Sequence, residues 1–203
     1  MSELNTEIRL GNLRIKLRKC DGVYFPSDDS ILLATSIKPT DTMLEIGCGS
    51  GLISIYMAMS GATVQCSDID PRAVACTNYN AQLNDLDIRA VEGDMFNAIS
   101  GKFSTIVFNP PYLSGEDAEA DIEDSKQWYG GKDGLSVTRT FLEQCNKYLK
   151  KNGTAYIILS SLTDIQSLKE QFQDLSFTVV GERSFFFERI YCFCVSGFVY
   201  DEK

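Results

Sequence analysis

Residues 104–115 of this 203-residue chain read STIVFNPPYLSG. Thr105 to Phe108 are apolar or β-branched and run straight into Asn109-Pro110-Pro111-Tyr112. Proline fixes φ and lacks a backbone N–H, and it also holds the residue before it in extended conformations. Such a strand end presents hydrogen-bond acceptors, the Asn109 side-chain oxygen and the Pro110 carbonyl, with little backbone freedom. A tyrosine ring directly after them can lie flat against a planar group. Taken alone, Asn-Pro is also an ordinary turn after a strand.

A second cluster lies upstream in LEIGCGSGLIS, residues 44–54, where Gly47, Gly49 and Gly51 separate an apolar run from a helical one. Missing side chains let the backbone take turn angles and approach a ligand closely. The spacing is G-x-G-x-G with Leu52 next, so the dinucleotide G-x-G-x-x-G pattern is not met, and no G-K-[ST] follows to hold a triphosphate. A nucleoside cofactor without phosphates needs neither.

Acidic residues stand where such a cofactor requires them. Asp68 closes the next apolar run and can accept both ribose hydroxyls. Asp94, expected to end the third strand, and Met95 after it suit an exocyclic amine edge and an apolar base face, with a helix-capping aspartate as the plainer alternative for Asp94. Glu45 can face an ammonium, fix the glycine loop, or serve only as a polar strand residue. Cys48 and Ile69, inside the same two segments, complete this part of the candidate cofactor set.

These residues need a scaffold. Residues 8–18 alternate as a hairpin would, with Gly11-Asn12 as its turn. Helical spacing starts after Pro26 and Ser27-Asp28, in DSILLATSI, and recurs in LISIYMAMS and in PRAVACTNYNAQL, which opens on Pro71. Short apolar runs at TMLEIGCG, ATVQCSDID, DIRAVEGD and FSTIVFNPPY predict strands between the helices. The pattern predicts a helix through LSVTRTFLEQCNKYLKKNG with a glycine stop, a strand TAYIILSS, and a helix TDIQSLKEQFQDL capped by Thr163. Two strands in SFTVVGERSFFFERIYCFCVSGFV end the chain, and SFFFERIYCFCV reads as core-facing. The expected fold is α/β, a mostly parallel sheet covered on both faces and closed by antiparallel strands at its C-terminal edge. Residues 113–134 lack a period and are expected to form a functional or mobile loop.

Length and composition predict one domain over 1–203, with 1–22 as a short extension before the core. A formal charge of −9 disfavours a nucleic-acid grip, although residues 14–19, RIKLRK, form a basic strip. The N-terminus lacks an apolar signal core and no run is long enough to span a bilayer, so a cytoplasmic, membrane-free protein is expected. Seven cysteines fall within expected helices and strands and there is no histidine, which predicts core thiols in a reducing compartment and no metal site.

LEIGCGSG, SDID and NPPY, in this order, resemble class I methyltransferases that use S-adenosyl-L-methionine and modify a planar amino group. With VYFPSDDS and WYGGKDG added, the chain resembles the HemK-like protein-glutamine methyltransferases over roughly residues 22–198, in particular the short eukaryotic and archaeal form. That resemblance implies a Rossmann-like fold with a seven-stranded sheet. It implies transfer of a methyl group to the side-chain amide of glutamine in the Gly-Gly-Gln tip of a class 1 translation termination factor. It also implies a heterodimer with a small, zinc-binding Trm112-type activator, for which the strand near Ile88–Glu92 is the candidate edge.

Under this resemblance the amide –NH₂ donates to Asn109 and to the Pro110 carbonyl, Pro111 stiffens them, and Tyr112 presses on the amide. Pro26, Asp29 and Ser30 match a segment that closes over the cofactor, with Ser30 toward its methionine end; a proline turn capping the following helix is the plainer reading. Gly131 and Gly134 match the family, and Trp128 and Tyr129 are candidate wall aromatics. The six carboxylates in 115–125 can face a basic rim on the termination factor or merely solubilise the loop. N6-adenine methyltransferases use the same four-residue motif, so adenine in RNA or DNA stays open as the acceptor.

Overall fold

A computed structural model describes residues 5–111 and 134–199. Tyr112, Trp128, Tyr129, Gly131 and the acidic stretch 115–125 lie outside the described residues. Strands β1 (Asn5–Leu10) and β2 (Leu13–Arg18) form the expected antiparallel hairpin around Gly11-Asn12. The elements that follow are α1 (Asp28–Ser36), β3 (Thr42–Ile46), α2 (Leu52–Met59), β4 (Thr63–Asp68), α3 (Pro71–Leu83), β5 (Ala90–Glu92) and β6 (Phe103–Phe108). Then come α4 (Ser136–Cys145), β7 (Leu149–Ser160), α5 (Ile165–Gln171), β8 (Ser176–Ser184) and β9 (Arg189–Ser196). Among the described residues no helix is long and apolar enough to cross a membrane.

Seven strands form one sheet in the order β5-β4-β3-β6-β7-β9-β8, parallel from β5 through β7. β9 runs antiparallel between β7 and β8, so among the described residues the last strand lies one place in from the edge and β8 is outermost. The burial patterns explain this order. Cys192, Phe193 and Val195 of β9 are buried, whereas Val179 and Val180 of β8 are exposed.

The period of two divides the strands between two cores. Met43, Val107, Tyr156, Ile158 and Cys192 pack on one face with α1, α2 and the hairpin residues Ile15 and Leu17. Leu44, Ile106, Phe108, Ile157 and Phe193 pack on the other with Phe141 and Leu142 of α4 and Leu168 of α5.

Four expectations are corrected. The helix from 135 ends at Cys145 and not at Gly153, because fully buried Leu149 enters the sheet opposite Phe103 and residues 150–153 form a bulge, with Asn152 at φ +61°. Asp164, not Thr163, caps α5: its carboxylate accepts from Ser167 N at 2.9 Å, while Thr163 donates to Ser160 O. SFFFERIYCFCV is not core throughout, because Phe185, Phe186 and Phe187 form the exposed connection between β8 and β9.

The fourth correction concerns the thiols. Cys20 and Cys76 form a disulfide, because the hairpin folds across α3 and brings together residues 56 apart in sequence. The other five remain thiols, four of them buried, as expected.

Asn80 on α3 ties this N-terminal hairpin to the core. It is fully buried, accepts from Arg18 N at 2.8 Å and donates to Ser50 O at 2.9 Å and Arg18 O at 3.3 Å. Replacing it strands several buried backbone groups. Urea denaturation of Asn80→Ala is expected to give a stability loss of about 2–3 kcal/mol, on the scale of two such groups.

Candidate active site

The carboxyl ends of β3, β4 and β6 meet above the sheet, the edge at which open α/β sheets bind ligands. A cleft of about 830 Å³ opens there. Every described residue among the catalytic and cofactor candidates lines it except Gly51, which stands behind it. The described residues expected from the sequence are therefore brought together by the fold.

The glycine loop follows β3 directly. Gly47, at φ +68°, brings its backbone so close to the Phe108 ring that a Cβ would lie 3.3 Å from it. Gly51, at φ +86°, caps α2, and a Cβ there would meet Thr77 at 3.0 Å. Thr77 in turn donates to Gly49 O at 2.9 Å. Left-handed backbone and these tight approaches together make a side chain strained at both positions and favour glycine. Cys48 between them is buried, donates its N–H to Ser67 O, and has a thiol pKa raised well above the usual range by the neighbouring Cys66 and by burial, which keeps it inert.

Asp68 closes β4. Its Oδ2 accepts from Gly49 N at 2.9 Å and its Oδ1 from Asp70 N at 3.0 Å, so the carboxylate is aligned by backbone and each oxygen keeps a further acceptor position. Burial raises its pKa against those bonds. Ile69 beside it is 64% exposed although strongly apolar, which gives the cleft a hydrophobic lip.

β5 ends at Glu92, so Asp94 lies beyond the strand and not at its last residue. It begins a turn and not a helix, which removes the capping alternative. Met95 adopts φ +50°, and Phe96 anchors the turn by stacking on Tyr148 at 4.7 Å and Phe141 at 5.7 Å.

Glu45 is buried in β3, and its Oε2 accepts from both the N–H and the hydroxyl of Ser54 in the first turn of α2. Of the three readings, holding the helix behind the glycine loop matches these bonds. Burial pushes its pKa up to about 8, against the lowering effect of Ser54.

Asn109 is the meeting point of distant segments. Its Nδ2 donates to Asp29 Oδ2 at 3.0 Å, while its Oδ1 is buried and has no hydrogen-bond partner among the described residues. Asp29 Oδ1 accepts from the Tyr24 hydroxyl at 2.8 Å and from the Ser30 hydroxyl at 3.1 Å. Ser30 is thus turned toward Asp29, and Asp29 is a support for Asn109 as well as part of the cleft wall. Pro26, Pro110 and Pro111 line the same cleft.

Sequence reasoning missed Tyr24, although it leads the very segment that supplies Asp29. It also missed Val137 and Thr140 of α4 and Glu188 before β9. No local pattern marks these last three, because long-range packing alone carries them to the cleft.

An apolar lip, an aligned acid at the end of β4, a left-handed glycine loop and an orphaned acceptor on Asn109 fit a nucleoside sulphonium beside a planar amino group. The fold and this site define a class I S-adenosylmethionine-dependent methyltransferase. Residues 27–125 match the methyltransferase small domain family. Over 170 residues the chain is 42% identical to a protein of Methanocaldococcus jannaschii provisionally named as a protein N5-glutamine methyltransferase, covering 81% of this chain and 86% of that one. It is 32% identical over 151 residues to the methyltransferase HEMK2 of Mus musculus, covering 67% of this chain and 71% of that one. The fold resembles that in the E. cuniculi Mtq2-Trm112 complex, described as responsible for methylation of the eRF1 translation termination factor, with a TM-score of 0.67 at 18% identity over 86% of this chain and 98% of that one. The chain belongs to the protein N5-glutamine methyltransferase family.

The raised Glu45 pKa has a definite sign. The folded chain holds that proton more tightly than the unfolded chain, so its stabilising effect is full below the ordinary value of 4.5 and is lost as pH rises through about 8. Thermal melts of the wild type are expected to fall across this window, with a limiting slope of about 1.4 kcal/mol per pH unit for one proton. Glu45→Gln is expected to flatten the decline, and an unchanged slope would place the titration elsewhere.

Proposed function

We propose that the chain transfers a methyl group from S-adenosyl-L-methionine to the side-chain amide nitrogen of the glutamine in the Gly-Gly-Gln tip of a class 1 translation termination factor. The observation that carries this reading is the buried, unpartnered Oδ1 of Asn109, turned by the Asp29 hydrogen bond so that the acceptor end of the amide remains available. An amide nitrogen is a poor nucleophile because its lone pair is delocalised into the carbonyl. Asn109 Oδ1 and the Pro110 carbonyl accept its two N–H groups and orient it, Pro111 keeps both acceptors rigid, and Tyr112 covers the amide plane.

When bound, S-adenosylmethionine supplies an electrophilic methyl on a sulphonium. Asp68 would hold the ribose hydroxyls, the backbone of Gly47 and Gly49 the nucleoside, Ile69 and Met95 the base, and Asp94 its exocyclic amine. Pro26, Asp29 and Ser30 close the methionine end, beside Glu45. No strong base is required, because the nitrogen becomes acidic only as it gains the methyl group; positioning carries the rate.

Residues 1–203 then act as one methyltransferase domain with a short N-terminal extension, working in the cytoplasm as a heterodimer with a zinc-binding Trm112-type activator. The M. jannaschii relative supports the acceptor, and the E. cuniculi complex supports both the termination factor and the partner. The outer edge of β5, unpaired among the described residues, offers the activator a strand to pair with.

Labelled cofactor is expected to methylate a purified termination factor, with the mark on the Gly-Gly-Gln glutamine by mass spectrometry and lost when that residue is changed to asparagine. Methylation of adenine in RNA or DNA and not of the factor would overturn the reading. Asn109→Ala is expected to retain cofactor binding by calorimetry and to lower transfer at least about 10²-fold, the scale of one positioned polar contact. Asp29→Ala, which frees the Asn109 amide to turn, is expected to lower kcat about 10-fold.

A further inference from the structure

The β8–β9 connection carries an apolar tip at the same edge of the sheet as the cleft. Phe185 N donates to Glu188 O at 2.7 Å and closes the turn. Phe186 and Phe187 between them are 91% and 85% exposed, their rings edge to face with centroids 4.5 Å apart. Ser160 pairs with Ile190, so the tip stands at the carboxyl end of β7. Ser161 N donates to Arg189 O at 2.8 Å, which brings the exposed Leu162 to the same corner. A run of large apolar side chains held in water marks a contact surface.

Glu188 joins this tip to the cleft. It lines the cavity, and its Oε1 is buried with no hydrogen-bond partner among the described residues. A carboxylate oxygen in that condition calls for an N–H or a cation from outside. The nearby arginines are engaged: Arg183 pairs with Asp28, and Arg189 donates to Ser184 Oγ at 3.1 Å and lies 4.0 Å from Glu182. With its cations paired and a carboxylate facing the cleft, this corner suits a polypeptide better than a phosphate backbone.

We propose that the Phe186–Phe187 tip is a docking contact for the protein that carries the acceptor amide. An apolar segment of that protein seats on the two rings, and a backbone N–H or basic side chain near the acceptor residue binds Glu188 Oε1. The inference rests on the protein-amide reading above and adds to it the surface that recognises the acceptor outside the catalytic cleft.

The test is steady-state methyl transfer at saturating cofactor with the termination factor varied, using the chain together with its activator. The F186S/F187S double variant is expected to raise KM for the factor at least about 10-fold, with kcat within about twofold and with cofactor affinity and thermal midpoint unchanged. Glu188→Gln is expected to raise the same KM about threefold or more. F186A alone serves if the double variant fails to fold. Wild-type kinetics in the folded variants would overturn the docking contact and leave the methyl-transfer reading intact. Absence of transfer to the factor by the wild type would overturn both. Loss of activator binding, or of a self-associated state, on gel filtration of the tip variants would assign the rings to that other partner and overturn the inference.

Discussion

The hydrogen bond between Asn109 and Asp29 joins the end of β6 to the start of α1 across 80 residues of chain. An asparagine amide has an acceptor end and a donor end of almost equal size, and rotation by half a turn exchanges them. A carboxylate can only accept, so pairing with Asp29 commits the nitrogen inward and leaves the oxygen to the cleft. Asp29 in turn is held by Tyr24 and Ser30, and α1 by packing of Leu32 and Leu33 into the first core. The orientation of one amide therefore draws on the N-terminal segment, a helix and the central strand of the sheet.

The glycine loop depends on a similar convergence. Asp68 holds Gly49 from β4, Thr77 holds it from α3, and Glu45 holds the first turn of α2 from inside β3. Each bond satisfies a backbone group that the glycine turns or the first turn of α2 leave unpaired, and each partner is at least partly desolvated. The cost shows in Glu45, whose carboxyl is pushed toward its neutral form by burial. A loop so held needs no side chain of its own to keep its shape.

Much of this was legible in the sequence because the relevant rules are local. The period of two in the strands, the helical spacing between them, Pro71 at the start of α3 and the Gly11-Asn12 turn all operate within a few residues. The errors arose where distant contacts prevail. Leu149 leaves a helix-like run because Phe103 offers it a place in the sheet, and Cys20 meets Cys76 because a hairpin crosses α3. SFFFERIYCFCV has one composition but two fates, since the turn needed to reverse the chain falls on its phenylalanines.

By itself the sequence determined the order of strands and helices, the left-handed demands of the glycine loop, and a rigid acceptor motif at the end of β6, because backbone sterics act between neighbours. Only the tertiary structure decided which way the Asn109 amide faces, where Glu188 comes to rest, and that the three phenylalanines just before it meet water. Those outcomes depend on which distant groups share a low-dielectric space, where a single unpaired polar atom or an uncovered ring outweighs any local preference.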